Sequence, residues 1–430
     1  MELNDIIILL ILLGCMATYI PVFLCLFFTA ILGFLLFTDF PLLLLFQTLF
    51  RSMDNFALVV VLFFILCGNI MTAGSIVEKL IKVANALVSW LPGGLGMAGV
   101  LACGLFGAIS GSTVATVVAL GGFMIPALLD NGYPEKYTLG LMTTSPNLGV
   151  IIPPSIGMIL YSMISNVSLE GLFLTGFIPG MLIMLLVCLY SYFFFRNKKE
   201  VVRKPIPTVG ETMAVLREGF WSLMLPIIIF GGIFSGVFTA NEAAVVACVY
   251  AFIVELFIHK SMKFSQVKQI TVSSAVTSAT LLIIVAGATC FGRLLTLEDI
   301  PGRITETVLS AINSPAVFLI AMNALLLVVG MFMDIISATM ILGPVFLPML
   351  DAFNVNWMHF GLIMTVNLAI GYCTPPMGVS LYITGAIANR DLIYVSKAVL
   401  PFIALQIVVL LLMTFFPDVV LWLPRLTGRI

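Results

Sequence analysis

Long apolar stretches alternate with short polar turns along almost the whole chain. They fall at residues 5–19, 21–37, 56–76, 97–129, 137–164 and 171–195, and again at 221–238, 240–258, 271–293, 317–350, 359–387 and 392–416. Set against the ~20 residues that a helical span needs, this pattern predicts an all-α chain that crosses a membrane many times. Two runs, 97–129 and 317–350, are too long for one helix and carry polar interruptions, Ser110-Gly111-Ser112-Thr113 and Met333-Asp334-Ile335-Ile336-Ser337. Each reads as two full spans or as a re-entrant hairpin whose ends share one side, and the charge count works better for the hairpin. Non-helical backbone at that depth is tolerated only where protein or a water-filled cavity surrounds it. Ahead of each hairpin lies an amphipathic stretch, 76–87 and more loosely 298–312, read as a helix lying in the interface.

The second series of runs repeats the first. A constant offset of 222 residues pairs Gly121 with Gly343, Pro126 with Pro348, Gly149 with Gly371, Pro153 with Pro375, Pro154 with Pro376 and Pro179 with Pro401, without a gap. Proline is only 21 of 430 residues, so four prolines in register argue for a duplication. Paired Gly/Pro interruptions at corresponding places in two halves of a membrane chain point to a transport site.

Composition agrees with the membrane reading: 61% of residues are hydrophobic and 9% charged, and the mean hydropathy is +1.21. The net charge is -1 and no basic patch is present, which excludes a nucleic-acid surface. The N-terminus is acidic, at Glu2 and Asp5, so the first apolar run is expected to stay in the mature chain rather than be cleaved as a signal peptide. The eight cysteines lie inside apolar runs with no CxxC spacing, which argues against disulfides and metal knuckles. The densest cationic cluster, Arg196 to Lys204, joins the two halves and is placed in the cytoplasm by the positive-inside rule. Counting spans outward, the turns at 130–136 and 389–391 are expected inside, and those at 165–170 and 352–358 outside. The two halves then have opposite topology.

Each half offers a hairpin tip of small hydroxyl residues and a span broken just before Pro-Pro. A broken helix frees carbonyls for a cation and amides for an anion. The sodium candidates are Ser110, Ser112 and Thr113 with Asn147 and Gly149 in the first half, and Asp334 and Ser337 with Asn367, Gly371 and Thr374 in the second. Asp334 is costly near mid-membrane and needs a cation partner, unless it caps a helix. Arg293 closes an apolar run; it either binds a substrate carboxylate through its two parallel N–H donors or snorkels to the interface. Ser145, Pro153, Pro154 and Pro375, at the breaks, complete the substrate candidates. Glu242 reads as a carboxylate at a helix N-terminus, and the lone His259 and His359 as interfacial residues.

At these residues the chain resembles the large membrane subunit of tripartite ATP-independent periplasmic (TRAP) transporters. The stretches are Gly107-Ala108-Ile109-Ser110-Gly111-Ser112-Thr113-Val114-Ala115-Thr116, Gly149-Val150-Ile151-Ile152-Pro153-Pro154-Ser155, Gly236-Val237-Phe238-Thr239-Ala240-Asn241-Glu242-Ala243-Ala244 and Asn367-Leu368-Ala369-Ile370-Gly371-Tyr372-Cys373-Thr374-Pro375-Pro376, with Gly330 to Asp334. The resemblance implies an inverted-repeat, ion-transporter-superfamily fold of elevator type, in which 97–164 and 317–387 slide against a scaffold. Gly330 joins the sodium candidates on this basis. It also implies a sodium-coupled importer of an organic acid in a bacterial inner membrane, with no cofactor beyond the coupling ions. Its partners would be a small (Q-type) membrane subunit and a periplasmic binding protein (P-type). Arg293 stands where many relatives carry a large aromatic, which hints at a carboxylated sugar such as a sialic acid, with a dicarboxylate as the other substrate.

The expected organisation is scaffold helices over 1–75, an interfacial arm over 76–96, hairpin, broken helix and span over 97–195, and a cytoplasmic loop over 196–220. Scaffold helices over 221–297, an arm over 298–316 and the second hairpin, broken helix and terminal span over 317–430 follow. A stand-alone sodium/dicarboxylate symporter of the divalent-anion family is the alternative. An intramembrane serine hydrolase fails for want of a histidine within either hairpin or broken helix.

Overall fold

The computed structural model describes residues 3–18, 20–198 and 205–429, and its regular elements are all helical. Among these residues nine helices are long and apolar enough to span a membrane, or up to ten if Leu42–Met53 and Ala57–Ala73, bent by 51°, count as one. The polytopic all-α expectation therefore holds. The first amphipathic stretch is the helix Ile76–Val88, which buries Ile76, Val77, Leu80, Ile81 and Ala84 and turns Glu78 and Lys82 outward. The second is Ile300–Ala311. Each precedes a helix–tip–helix pair: Gly94–Ser110 with Thr113–Asp130, and Pro315–Phe332 with Ile335–Ala352.

The broken spans follow. Glu135–Ser165 is interrupted by a 3-10 turn at Ser145–Asn147 and by extended backbone at Ile152 and Ser155. Trp357–Gly371 and Val379–Ala388 are separated by an unwound segment. Proline explains both stops, because it lacks the amide and disfavours helix at the residue before it.

Some boundaries differ from the apolar runs. The segment expected to be a loop over 196–220 is already helical from Val209, where Thr208 and Glu211 form a reciprocal cap; residues 199–204 of the cationic cluster lie outside the described residues. The run at 271–293 lengthens to Phe264–Leu297. Leu42–Met53 and the amphipathic Pro417–Leu426 were not anticipated.

Turns assigned to a common side by charge meet in space. Arg390, in one expected cytoplasmic turn, forms a bidentate pair with Glu135 beside the other, at 2.5 and 3.1 Å, and Tyr394 Oη donates to the same carboxylate. That carboxylate holds the Arg390 guanidinium above its usual pKa. On the opposite side, the 165–170 and 352–358 turns line one cavity, and Tyr161 Oη donates to Trp357 O at 2.8 Å.

Candidate functional site

Both hairpin tips are built by caps. Gly111 takes a left-handed conformation (φ 61°) that ends the first arm, and Ser112 Oγ then accepts from Ala115 N. In the second hairpin Met333 is extended and Asp334 Oδ2 accepts from Ser337 N at 2.9 Å. The helix-cap role of Asp334 is thus present, and it engages only one carboxylate oxygen.

The breaks hold the tips. Gly111 O accepts from Ile156 N at 3.4 Å, just past the first Pro-Pro pair, and Ile335 N donates to Tyr372 Oη at 3.0 Å, just before the second. Both tips therefore converge on one cavity of about 420 Å³, lined by residues 110–115, Gly157, Asp334, Ile335 and Tyr372, and on the far wall by Gly68, Asn69 and Thr277. Thr277 stands 13 residues into the 34-residue helix Phe264–Leu297, roughly 20 Å from its start. The tips thus sit well inside the molecule's thickness.

Glycine lets the backbone approach closely at two places. A Cβ on Gly107 would lie 2.4 Å from Gly149 Cα, and one on Gly371 would lie 2.5 Å from Gly330 Cα. In each half a hairpin arm is pressed against the helix that breaks. Around the first contact Thr116 Oγ1 donates to Ser112 O at 2.7 Å and lies 3.3 Å from Ser110 Oγ. A Cβ on Gly149 would come within 2.8 Å of the same hydroxyl.

Several buried oxygens near these contacts have no hydrogen-bond partner: Thr113 Oγ1, Ser145 Oγ, Ser337 Oγ and Asn367 Oδ1. Leaving a buried polar atom unpaired costs about 1–3 kcal/mol. Hard oxygens of this kind suit a sodium ion.

The remaining candidates divide. Asn147 is committed to other partners: its Nδ2 donates to Gln406 Oε1 at 2.9 Å and its Oδ1 accepts from Cys373 Sγ. Asn367 Nδ2 donates to Asn323 Oδ1 at 2.6 Å, and Asn323 passes the bond to Thr414. Thr374 Oγ1 returns to Ile370 O. Pro153 and Pro154 are buried beneath the first tip, whereas Pro375 is exposed. Arg293 does not line the cavity. It is exposed, 16 residues and about 24 Å beyond Thr277 on the same helix, so of its two readings the geometry matches the one at the interface. Sequence reasoning passed over Thr116, Asn69, Thr277 and Tyr372 as site residues. Glu242 sits in a reciprocal cap with Thr239, as its position suggested. His359 is not interfacial but buried, and it lies inside the second broken helix, Trp357–Gly371, where no histidine was expected; its Nε2 is 2.8 Å from Met413 O, a main-chain partner and not a serine.

Two helical hairpins, two broken helices and one shared cavity, largely apolar but with Asn69, Ser110, Ser112, Thr113, Asp334 and Tyr372 in its wall, describe a polytopic membrane transporter. A family model described as "Tripartite ATP-independent periplasmic transporter, DctM component" matches residues 9–419, and the chain belongs to that family. It is 38% identical to the C4-dicarboxylate TRAP transporter large permease protein of Pseudomonas aeruginosa, over 88% of this chain and 89% of that one. The sialic acid TRAP transporter large permease protein of Vibrio cholerae is 34% identical, over 88% and 89%. The isethionate TRAP transporter permease protein DctMQ of Oleidesulfovibrio alaskensis is 37% identical, over 87% of this chain and 59% of that longer protein. In fold, the chain is similar to the YdaH transporter of Alcanivorax borkumensis, with a TM-score of 0.63 and 15% identity over 88% and 89% of the two chains. The protein is a transporter permease subunit and not an enzyme.

Proposed function

We propose that this subunit imports an organic acid across a bacterial inner membrane, driven by sodium and working with a small membrane subunit and a periplasmic binding protein. The observation that carries this reading is the convergence of both tips and both breaks on one cavity beside unpaired buried oxygens. Ser110, Ser112, Thr113 and Gly149, with Thr116 beside them, offer one cation position. Gly330, Asp334, Ser337, Gly371 and Thr374 offer the other. Asn147 supports the first position from behind, with both side-chain atoms engaged by Gln406 and Cys373, whereas Asn367 is held through its Nδ2 by Asn323 and keeps its Oδ1 for the second.

Anion binding would use the amides freed at the breaks and the far-wall polar groups Asn69 and Thr277. Three of the relatives are named for acids, which supports the acid class. The argument for a sugar acid loses its residue, because Arg293 lies away from the cavity. The recurrence of the glycine contact in both halves, and the meeting of like-sided turns, favour an inverted duplication. In that arrangement 97–164 and 317–387 would move as a unit against the scaffold.

Thermal unfolding of the purified protein in sodium and in choline chloride tests the ion sites. A ligand at 100 times its Kd stabilises by about 2.7 kcal/mol, so sodium should raise Tm and Asp334→Asn should blunt the rise. An equal Tm in both salts would remove the sodium reading.

A further inference from the structure

A second cavity, of about 610 Å³, shares no lining residue with the first and lacks the hydroxyl, amide and carboxylate groups found there. Its walls come from the arm (Leu87), the first hairpin (Leu105, Ala108), the first break (Ile152) and the helices Leu169–Phe195 (Met184) and Val209–Phe234 (Ile227). Among the described residues no charged or hydrogen-bonding side chain lines it. Leu87 and Ile227 are exposed at its rim, so it opens to the outside of the molecule.

Its depth follows from the helix Val209–Phe234. Glu218 pairs with Lys79 at 3.1 Å and Trp221 is exposed three residues on, a combination of charge and indole that marks the membrane–water boundary. Ile227 lies nine residues beyond Glu218, about 13 Å deeper. In a hydrocarbon core about 30 Å thick that is lipid depth, where neither water nor a polar ligand is at hand.

Two occupants remain, a lipid acyl chain and a helix of a neighbouring subunit. The deep wall of the cavity is made of buried residues, Gly104, Ala108 and Ile152, and a flexible hydrocarbon chain reaches into such a recess where a rigid helix about 10 Å wide does not bend to follow it. We propose that this cavity is a binding site for an acyl chain of a membrane phospholipid, seated between the arm and Val209–Phe234 on one side and the first hairpin and break on the other. Under the transport reading above, that is a seam between moving and fixed parts; the lipid site itself does not depend on that reading, and its test reads lipid contact, not uptake.

Gly231 provides the variant, since a Cβ there meets nothing within 4 Å and the residue lines the cavity. Proteoliposomes containing a phosphatidylethanolamine with a photoreactive diazirine on its acyl tail would be irradiated, and the labelled peptides mapped. Labelling of peptides covering 101–108 and 223–231 is expected in the parent protein and lost in Gly231→Trp, while the exposed surface at Leu35 and Leu36 labels equally in both. Gly231→Leu, a smaller change, is the second arm and should give partial loss. Labelling of the cavity peptides that is unchanged in both variants would overturn the proposal. So would labelling that vanishes from the parent when the small membrane subunit is added, since a protein helix would then be the occupant.

Discussion

Asp334 meets a structural demand at the residue scale and keeps a second oxygen for the ionic role proposed for it. One oxygen caps Ile335–Ala352 and the residue lines the shared cavity. Asparagine is also a good cap, so Asp334→Asn should fold normally while its sodium affinity falls about tenfold or more, a loss of at least ~1.4 kcal/mol. A sodium titration of Tm or of uptake reads this, and unchanged affinity would leave Asp334 as a cap alone. Gly371→Ala should behave differently, because its Cβ would press on the Gly330 backbone at 2.5 Å. Overpacking of this kind costs about 1–3 kcal/mol, visible as a lower Tm in any salt. Small hydroxyls, glycines and one carboxylate in apolar runs made the tips legible in the sequence. Thr116 and Tyr372 were not read as site residues because their roles depend on backbone turns and on partners such as Ile335, 37 residues from Tyr372. Arg293 reads two ways in the sequence for a related reason: a cation ending an apolar run looks the same whether it meets a cavity or the interface.

At the scale of elements, periodicity carried furthest where polar residues alternate with apolar ones at helical spacing. The stretch 76–87 became Ile76–Val88 almost residue for residue. What the spacing could not reveal is the joint that holds this arm. Glu255, wholly buried on the helix running alongside Ala57–Ala73, accepts from Ser75 N and Ile76 N at 2.8 Å each and from the hydroxyls of Ser75 and Ser261. Gly74 leaves room for this carboxylate, which a Cβ there would strike. Beside it His259 Nδ1 lies 3.1 Å from Ser75 Oγ, and burial holds the imidazole below its usual pKa, keeping it a neutral partner. The contact joins residues 179 and 180 apart in sequence, which is why no local pattern announced it. Glu255→Ala should strip the arm's first amides of their acceptor and destabilise the fold by about 1–3 kcal/mol. A fall in Tm with the sodium-induced increment retained would place the residue in the joint and not in the ion sites.

At the scale of the whole molecule, the positive-inside pattern did more than count spans. It grouped turns that the structure brings together, at Glu135–Arg390 on one face and at Tyr161–Trp357 on the other. Cysteines introduced at Asn389 and Asn354 should accordingly react with an impermeant thiol reagent from opposite sides of oriented vesicles. Reaction of both from one side would break the inverted scheme. The extra helix at 209–220 and 417–426 carries no spanning-length apolar signal, because the first is set by a reciprocal cap and the second is amphipathic. Both halves contribute a tip and a break to one cavity, so under the proposed function the coupling of ion to anion would be a property of the assembled pair. The most direct measurement is uptake by proteoliposomes that contain this chain and its small membrane subunit, with a binding protein loaded with organic acid outside. Uphill accumulation is expected with an inward sodium gradient, and its collapse when either the gradient or the binding protein is withheld. Accumulation that persists without sodium, or that this chain sustains alone, would contradict the proposal.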